Sequence, residues 1–510
     1  MTSDAHLQLR YGSLLTCKVV PSMVLYILIA ALMTQPSQGS SPQDRIAKAE
    51  QLLKQSLPAE ALKEYRKALQ ASPRLAAAHC GVGDCYMRMS KYKEAIAAYL
   101  QAIEQEPKNA EFEQKCAQAY LSYRNIPQAQ RHLEKAFALA PRDARNYCVR
   151  GSINRALKDK RRAVEDYSKA LSIDPNNKEF LRERAKSYMF VKAFNAALAD
   201  CDRAIALDSK DAQSYITRAT VLMEMGRQRQ CEIDADQAIR LNPLDAMGYY
   251  YRGLARFRRT KSQDGLVDLK EACRLQPADW KNFNALGACY QEVMEDQSAI
   301  EAFTKAIKAL AEQGKTMSDP YLGRGLSYEE IGKDDLAYAD FTKAMEFAPD
   351  RSAALYYRAR LLAKMGRKKE AIADYSKVIQ LRPKDFGILK ARGVVFYELG
   401  DLDRAVADFT TSINLRPIAN TFEYRGRVYA RQKKYDKALA DFDRMLELDR
   451  GQARFKGHLL KAGVYEAMGR NDLAEKERKL SQAKMPLGQF MKEFADVSSR
   501  FRELEGELGD

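Results

Sequence analysis

Eight arginines in this chain are each followed, sixteen residues later, by an aspartate. The pairs are Arg150 with Asp166, Arg184 with Asp200, Arg218 with Asp234, Arg252 with Asp268, Arg324 with Asp340, Arg358 with Asp374, Arg392 with Asp408 and Arg425 with Asp441. A guanidinium and a carboxylate at one fixed spacing have two uses. They can form a charged ladder that grips a ligand, or they can neutralise each other inside a fold, because a half-buried arginine cannot shed its proton. The equivalent positions elsewhere favour the second use. Lys48 precedes Glu64 and Lys461 precedes Glu477 at the same spacing, whereas Val82 precedes Ala98 and Leu286 precedes Ala302. The two positions are charged together or uncharged together, with Cys116 and His132 as the exception. Eight Arg–Asp bridges are expected, each within one structural unit and partly buried.

The remaining reactive inventory is thin. Four histidines in 510 residues leave little for a metal site or an imidazole-based centre. The nine cysteines are Cys17, Cys80, Cys85, Cys116, Cys148, Cys201, Cys231, Cys273 and Cys289, with no CxxC among them. That scatter suggests small core filler rather than zinc or redox chemistry. There is no phosphate loop, dinucleotide fingerprint, HExxH, GxSxG or zinc-ribbon spacing. The expectation is a chain without a catalytic centre, metal or cofactor.

The elements that must position the Arg–Asp pairs are set by a repeat. Pro73, Pro107, Pro141 and Pro175 are 34 residues apart; Ser209 holds the next place, and Pro243 and Pro277 resume the period. A four-residue insertion near Gly314–Met317 shifts the phase before Pro349, Pro383 and Pro417. Alanines keep the same register (Ala61, Ala95, Ala129, Ala163 and Ala197 at one phase), as do Gly83, Gly151, Gly253, Gly287, Gly325 and Gly393 at another. Tyr86, Tyr120, Tyr188, Tyr290 and Tyr328 follow three residues after that small site. Small residues at fixed phases let two helices approach, and the tyrosine is expected to fill the gap beside them. The proline ends the second helix.

This pattern resembles the tetratricopeptide repeat, a 34-residue helix–turn–helix unit. The resemblance covers about thirteen units from 42 to 486 and implies an all-α fold, a right-handed α-solenoid. The family's Trp is missing, and the unit after Pro417 is one residue short. Beyond Pro486, Leu487, Phe490, Met491, Phe494, Val497, Phe501, Leu504 and Leu508 recur at helical spacing, so 487–510 reads as a C-terminal capping helix.

In that family the first helix of each pair lines a concave groove. The phases concerned carry Arg182 and Lys186 in one unit, then Tyr250, Tyr251 and Phe257 in another. Further on they carry Tyr356, Tyr357 and Arg360, then Lys390 and Tyr397, then Tyr424, Arg427 and Arg431. Tyr and Arg are frequent interface anchors, so these thirteen residues are candidates for binding a protein segment that carries acidic groups. The chaperone carboxylate clamp of some family members, Lys and Asn at the first two phases, is not matched here; Cys80 with Asp84 and Cys148 with Ser152 stand there.

Net charge is +16, of which the stretch from Ala144 to Asp279 holds +7. Two basic turns, Lys158–Arg162 and Arg256–Lys261, make a surface for nucleic acid or an anionic polymer or lipid the rival reading, although no nucleic-acid motif accompanies them. Residues 1–40 stand apart. Val19 to Met33 carries no charge, which suits the apolar part of an export signal or an N-terminal membrane anchor; translation starting at Met33 would instead leave a cytoplasmic protein. The reading is therefore a non-catalytic scaffold or adaptor that binds protein segments, exported to or anchored at the cell envelope. Membrane contact is expected only through the N-terminal segment.

Overall fold

The computed structural model describes residues 41–55, 57–448 and 454–482. The N-terminal segment 1–40 and the capping helix expected at 487–510 lie outside the described residues. Among the described residues the chain forms 26 α-helices and no strand. Consecutive helices pair through short turns, and within each of two units every pair packs on the next, an all-α solenoid.

The chain divides into two compact units at Ser209 and Lys210, where the period lacks its proline. The first unit holds ten described helices, from Pro42–Lys54 to Phe194–Leu207, in five pairs. The second holds sixteen, from Ala212–Glu224 to Asn471–Gln482, in eight pairs.

Local rules explain the helix limits. First helices start after an Asp or Asn whose side chain accepts an N–H of the first turn: Asn109, Asp143, Asn177, Asp245, Asp279 and Asp385. Second helices end one residue short of the proline landmark, as Gln105 does before Glu106 and Pro107. The turn between the helices of a pair places one residue at positive φ, for example Gly366 at 77° and Gly400 at 80°.

The cores are built as the small/large spacing requires, with one difference. Second-helix alanines such as Ala61, Ala95, Ala163, Ala337 and Ala405 are fully buried. The ring that lies against the first-helix glycine, however, comes from the second helix and not from the tyrosine three residues on; at Gly253 alone of the six, Gly265 and Leu269 take its place. A methyl on Gly393 would sit 2.8 Å from the ring of Phe409, and one on Gly325 would sit 2.7 Å from Phe341. These second-helix rings are sealed, and each contributes about 1.5–3 kcal/mol by its burial. The insertion also differs in form. Most of it lengthens the helix Asp296–Glu312 to 17 residues where its counterparts have 13 or 14.

Candidate functional site

All eight Arg–Asp pairs are closed. In seven, Nε and Nη2 of the arginine meet the two carboxylate oxygens at 2.6–2.9 Å, as in Arg358 with Asp374 (2.7 and 2.9 Å). Arg150 uses both nitrogens on a single oxygen of Asp166, and Asn154 donates to the other at 2.7 Å. The aspartates are buried and the arginines half-buried or, for Arg150, exposed. The tyrosines of the small-site motif cover several of these guanidinium groups: Tyr188, Tyr328 and Tyr429, the last three residues after Gly426, lie 5.6–5.8 Å from Arg184, Arg324 and Arg425.

The third nitrogen shows what sequence reasoning missed. In six of the eight pairs Nη1 donates backwards, to the second helix of the preceding pair. Arg184 reaches Ser168, Arg252 reaches Asp236, Arg358 reaches Thr342 and Arg392 reaches Ser376, each sixteen residues earlier. The spacing stretches to twenty for Arg324 with Thr304, across the four-residue insertion, and shrinks to fifteen for Arg425 with Thr410, across the shortened unit. Lys461 repeats the scheme with Glu477 and Asp443, both at 2.8 Å. Where the following pair has Val82, Cys116 or Leu286 in place of the cation, the acceptor position holds Arg66, Leu100 or Lys270. This second covariation was legible, because the acceptors stand two residues after the aspartate.

The Cys116–His132 exception has its own partner. His132 is buried, its Nδ1 lies 2.5 Å from Glu113, and its ring stacks on Tyr120. The polar pair has moved three residues along the first helix, and His458 with Glu477 shows the same offset.

First helices of neighbouring pairs lie side by side, which builds one continuous face in each unit. In the first unit Arg155 reaches Glu183 at 2.6 Å, and Lys186 meets the same carboxylate at 2.7 Å. Burial alone would raise the Glu183 carboxyl, but Lys186 and Arg155 outweigh it and hold it below the usual range. Arg182 is half-buried on the same helix.

In the second unit the tyrosines are half-buried and packed. Tyr250 and Tyr251 meet edge to face, as do Tyr356 and Tyr357 at 5.4 Å; Tyr357 also stacks on Phe341, and Tyr424 stacks on Phe409. Arg360 lies over Tyr357 and reaches Glu329 at 2.8 Å. Arg431 donates to the backbone carbonyl of Tyr397 at 3.5 Å and lies over its ring. Lys390 donates to the neutral amide of Asn420 at 3.2 Å.

Two of the thirteen candidates fall outside the open face. Phe257 is 1% exposed, because it seals the core beside Leu266 and Tyr290. Arg427 is also buried; Nη2 pairs with Glu423 at 2.9 Å, Lys456 pairs with the same oxygen at 2.9 Å, and Nε has no partner. Glu329 and Lys456 were not foreseen beside this face, nor was the buried Glu423 beneath it.

The basic turns also separate. Arg256 and Arg259 are held by Glu232, Arg256 again by Asp268, and Lys261 by Glu292. At Lys158–Arg162 the one described ion pair is Arg162 with Asp159 at 3.4 Å. Among the described residues no cluster of His, Cys, Asp or Glu is placed to hold a metal, and no helix is long and apolar enough to cross a membrane. The eight described cysteines carry free thiols; seven are buried and Cys148 is half-buried. Burial pushes the thiols of Cys80, Cys85, Cys116, Cys231, Cys273 and Cys289 up to about 12.

Tetratricopeptide repeat family models match residues 76–109, 144–177, 352–385 and 390–453. No curated protein sequence matches the chain. Among solved structures, the APC/C hetero-tetramer Cut9–Hcn1 is similar at 14% identity, covering 93% of this chain and 99% of that one with a TM-score of 0.41. Yeast Tom70 is similar at 15% identity over 87% and 97% of the two chains, TM-score 0.37. A thermophilic TPR protein of Thermus thermophilus is similar at 20% identity over 36% of this chain and all of that one, TM-score 0.34.

Proposed function

The chain belongs to the tetratricopeptide repeat family, and from that premise we propose that it is a non-catalytic scaffold whose first-helix face in the second unit binds acidic protein segments. Repeats of this kind serve as protein-binding scaffolds, and the chemistry of this face supports the finer reading. Half-buried tyrosines supply rigid, amphipathic contact area at low entropic cost. Arg360, Lys390 and Arg431 supply donors for carboxylates.

One observation carries the choice of an acidic partner. Lys390 has a neutral amide as its described hydrogen-bond partner, whereas Arg360 and Arg427 each have a carboxylate. A cation on a binding face without a carboxylate of its own is complementary to a carboxylate brought by a ligand. Two further points belong to the same proposal. The uncharged run from Val19 to Met33 supports delivery to or anchoring at the cell envelope, while a start at Met33 would make the protein a cytoplasmic adaptor. Intact mass and cell fraction of the native product distinguish these.

The binding proposal is tested by titrating the full chain with a fluorescent Asp/Glu-rich peptide and with its Asn/Gln counterpart. Lys390→Glu should weaken the acidic peptide about tenfold or more, since a charge-assisted hydrogen bond becomes a repulsion, and should leave the amide peptide unaffected. Equal affinity for both peptides would remove the acidic partner from the proposal.

A further inference from the structure

The turn inside each helix pair repeats one backbone shape but differs in chemistry between the units. In the second unit Gly226, Gly332, Gly366, Gly400 and Gly469 take the positive-φ place, with Lys261, Met294 and Lys433 in the other described turns. In the first unit no glycine does. The same place holds Ser90, Arg124, Lys158 and Lys192, at φ of 58–65°, a conformation that L side chains disfavour. Three of the four are exposed cations. Two residues earlier, four of the eight second-unit turns carry a carboxylate, Glu224, Glu292, Glu330 and Glu398, and the others Arg259, Lys364, Arg431 and Ala467, whereas the first unit has Arg88, Ser122, Ala156 and Phe190, with no carboxylate among them.

Exposed apolar side chains stand beside these cations: Tyr123 (42%), Leu157 (50%), Phe190 (52%) and Val191 (38%). Lys93 lies 5.6 Å from the ring of Tyr123, so the turns of two successive pairs meet along one edge. The charges are not consumed inside the molecule. Arg124, Lys158, Lys160, Arg161 and Lys192 form no ion pair with a described carboxylate, and of that cluster Arg162 alone meets one, Asp159; in the second unit Lys433 is likewise without an ion pair, whereas Arg256, Arg259 and Lys261 are held by carboxylates.

We infer that the turn edge of the first unit docks on an anionic lipid surface. The cations meet the headgroup charges, and Leu157, Phe190 and Val191 enter the boundary between headgroup and acyl chain. The apolar side chains decide between polyanions. Leu157 and Val191 have no π-face to stack on a base and no donor for a phosphate, whereas a bilayer offers an apolar phase directly beneath its charge. The inference is independent of the peptide-binding face and of the segment before Ser41.

The test is co-sedimentation of the full chain with phosphatidylcholine vesicles and with vesicles that also contain phosphatidylserine. Lys158→Glu/Lys160→Glu/Arg161→Glu should lower partitioning onto the phosphatidylserine vesicles by roughly 10²-fold, at about fivefold for each cation lost. Lys433→Glu/Lys434→Glu, the same change in a turn of the second unit, should alter it only slightly. Leu157→Asp/Phe190→Asp should also release the chain, although it leaves every cation in place. All substituted side chains of the first unit are exposed, and an unchanged helical spectrum checks that the variants fold. Three results would each overturn the inference. One is equal binding to pure phosphatidylcholine, and another is equal loss in the second-unit control. The third is tighter binding of an oligonucleotide than of the anionic vesicles, with the same triple variant abolishing it.

Discussion

The pair Ser352–Lys364 and Lys368–Leu381 carries a complete Arg–Asp bridge, whereas the pair Trp280–Glu292 and Asp296–Glu312 solves the same packing problem with Leu286 and Ala302. The chain therefore contains its own apolar control. Asp374→Ala would leave the guanidinium of Arg358, whose side chain is 15% exposed, with only the hydroxyl of Thr342 as an acceptor. Arg358→Leu would strand a carboxylate whose side chain is 5% exposed. Each single change should cost about 3–5 kcal/mol, most of it the penalty of an unpaired buried charge. Arg358→Leu/Asp374→Ala reproduces the apolar solution and should cost no more than about 2 kcal/mol, so the coupling should reach at least ~4 kcal/mol. Thr342→Val removes only the bond to the preceding pair and should cost about 0.5–1.5 kcal/mol. A repeat array need not unfold in one step, so the assay is urea unfolding with hydrogen exchange resolved over residues 352–381. A double variant that costs the sum of the two single variants would refute the reasoning, because it would show that the charges do not compensate each other.

Three further predictions rest on single groups. Glu183 has its carboxyl held low by Lys186 and Arg155 against the opposing effect of burial. It therefore adds stability above the unfolded value of about 4.3, and that stability is lost as pH falls through the lower folded value; Glu183→Gln should flatten the acid limb of the stability–pH curve, and an unchanged limb would contradict it. The buried thiols, raised to about 12, hold almost no thiolate at pH 8; intact mass after iodoacetamide should show Cys80, Cys116, Cys231 and Cys289 unmodified in the native chain and modified in denaturant. Gly393→Ala puts a methyl 2.8 Å from Phe409, where overpacking should cost about 1–3 kcal/mol in a urea titration; a change near zero would mean that the ring moves freely.

Periodicity made the helix pairs legible because every pair must bury the same stripe against the same neighbours, so Ala and Gly recur at fixed phases. The Arg–Asp partners were legible for the same reason: a buried charge forces its counter-charge to covary. The inter-pair acceptors Ser168, Thr342 and Ser376 obey a similar rule but are small neutral residues, which the search for charge passed over. The ring over Gly83, Gly151, Gly287, Gly325 and Gly393 was misassigned because two aromatics compete for one gap, and spacing along the chain does not show which helix supplies it. The face residues were only partly legible. Phe257 and Tyr250 share one face-lining helix, yet packing buries the first completely and the second by degree. Glu329 escaped notice because an acid within a face read as basic appears as background until its partner is seen, and Glu423 because it is buried beneath that face.

The central claim is that the face built by Tyr356, Tyr357, Arg360, Lys390 and Tyr397 selects acidic protein segments. The most direct measurement is selection from an unbiased displayed-peptide library on the immobilised full chain, run in parallel on the Arg360→Glu/Lys390→Glu variant. The account predicts enrichment of Asp- and Glu-rich peptides on the native chain and loss of that enrichment on the variant, with both proteins equally helical. Enrichment of neutral or basic peptides, or acidic enrichment that the variant retains in full, would contradict it.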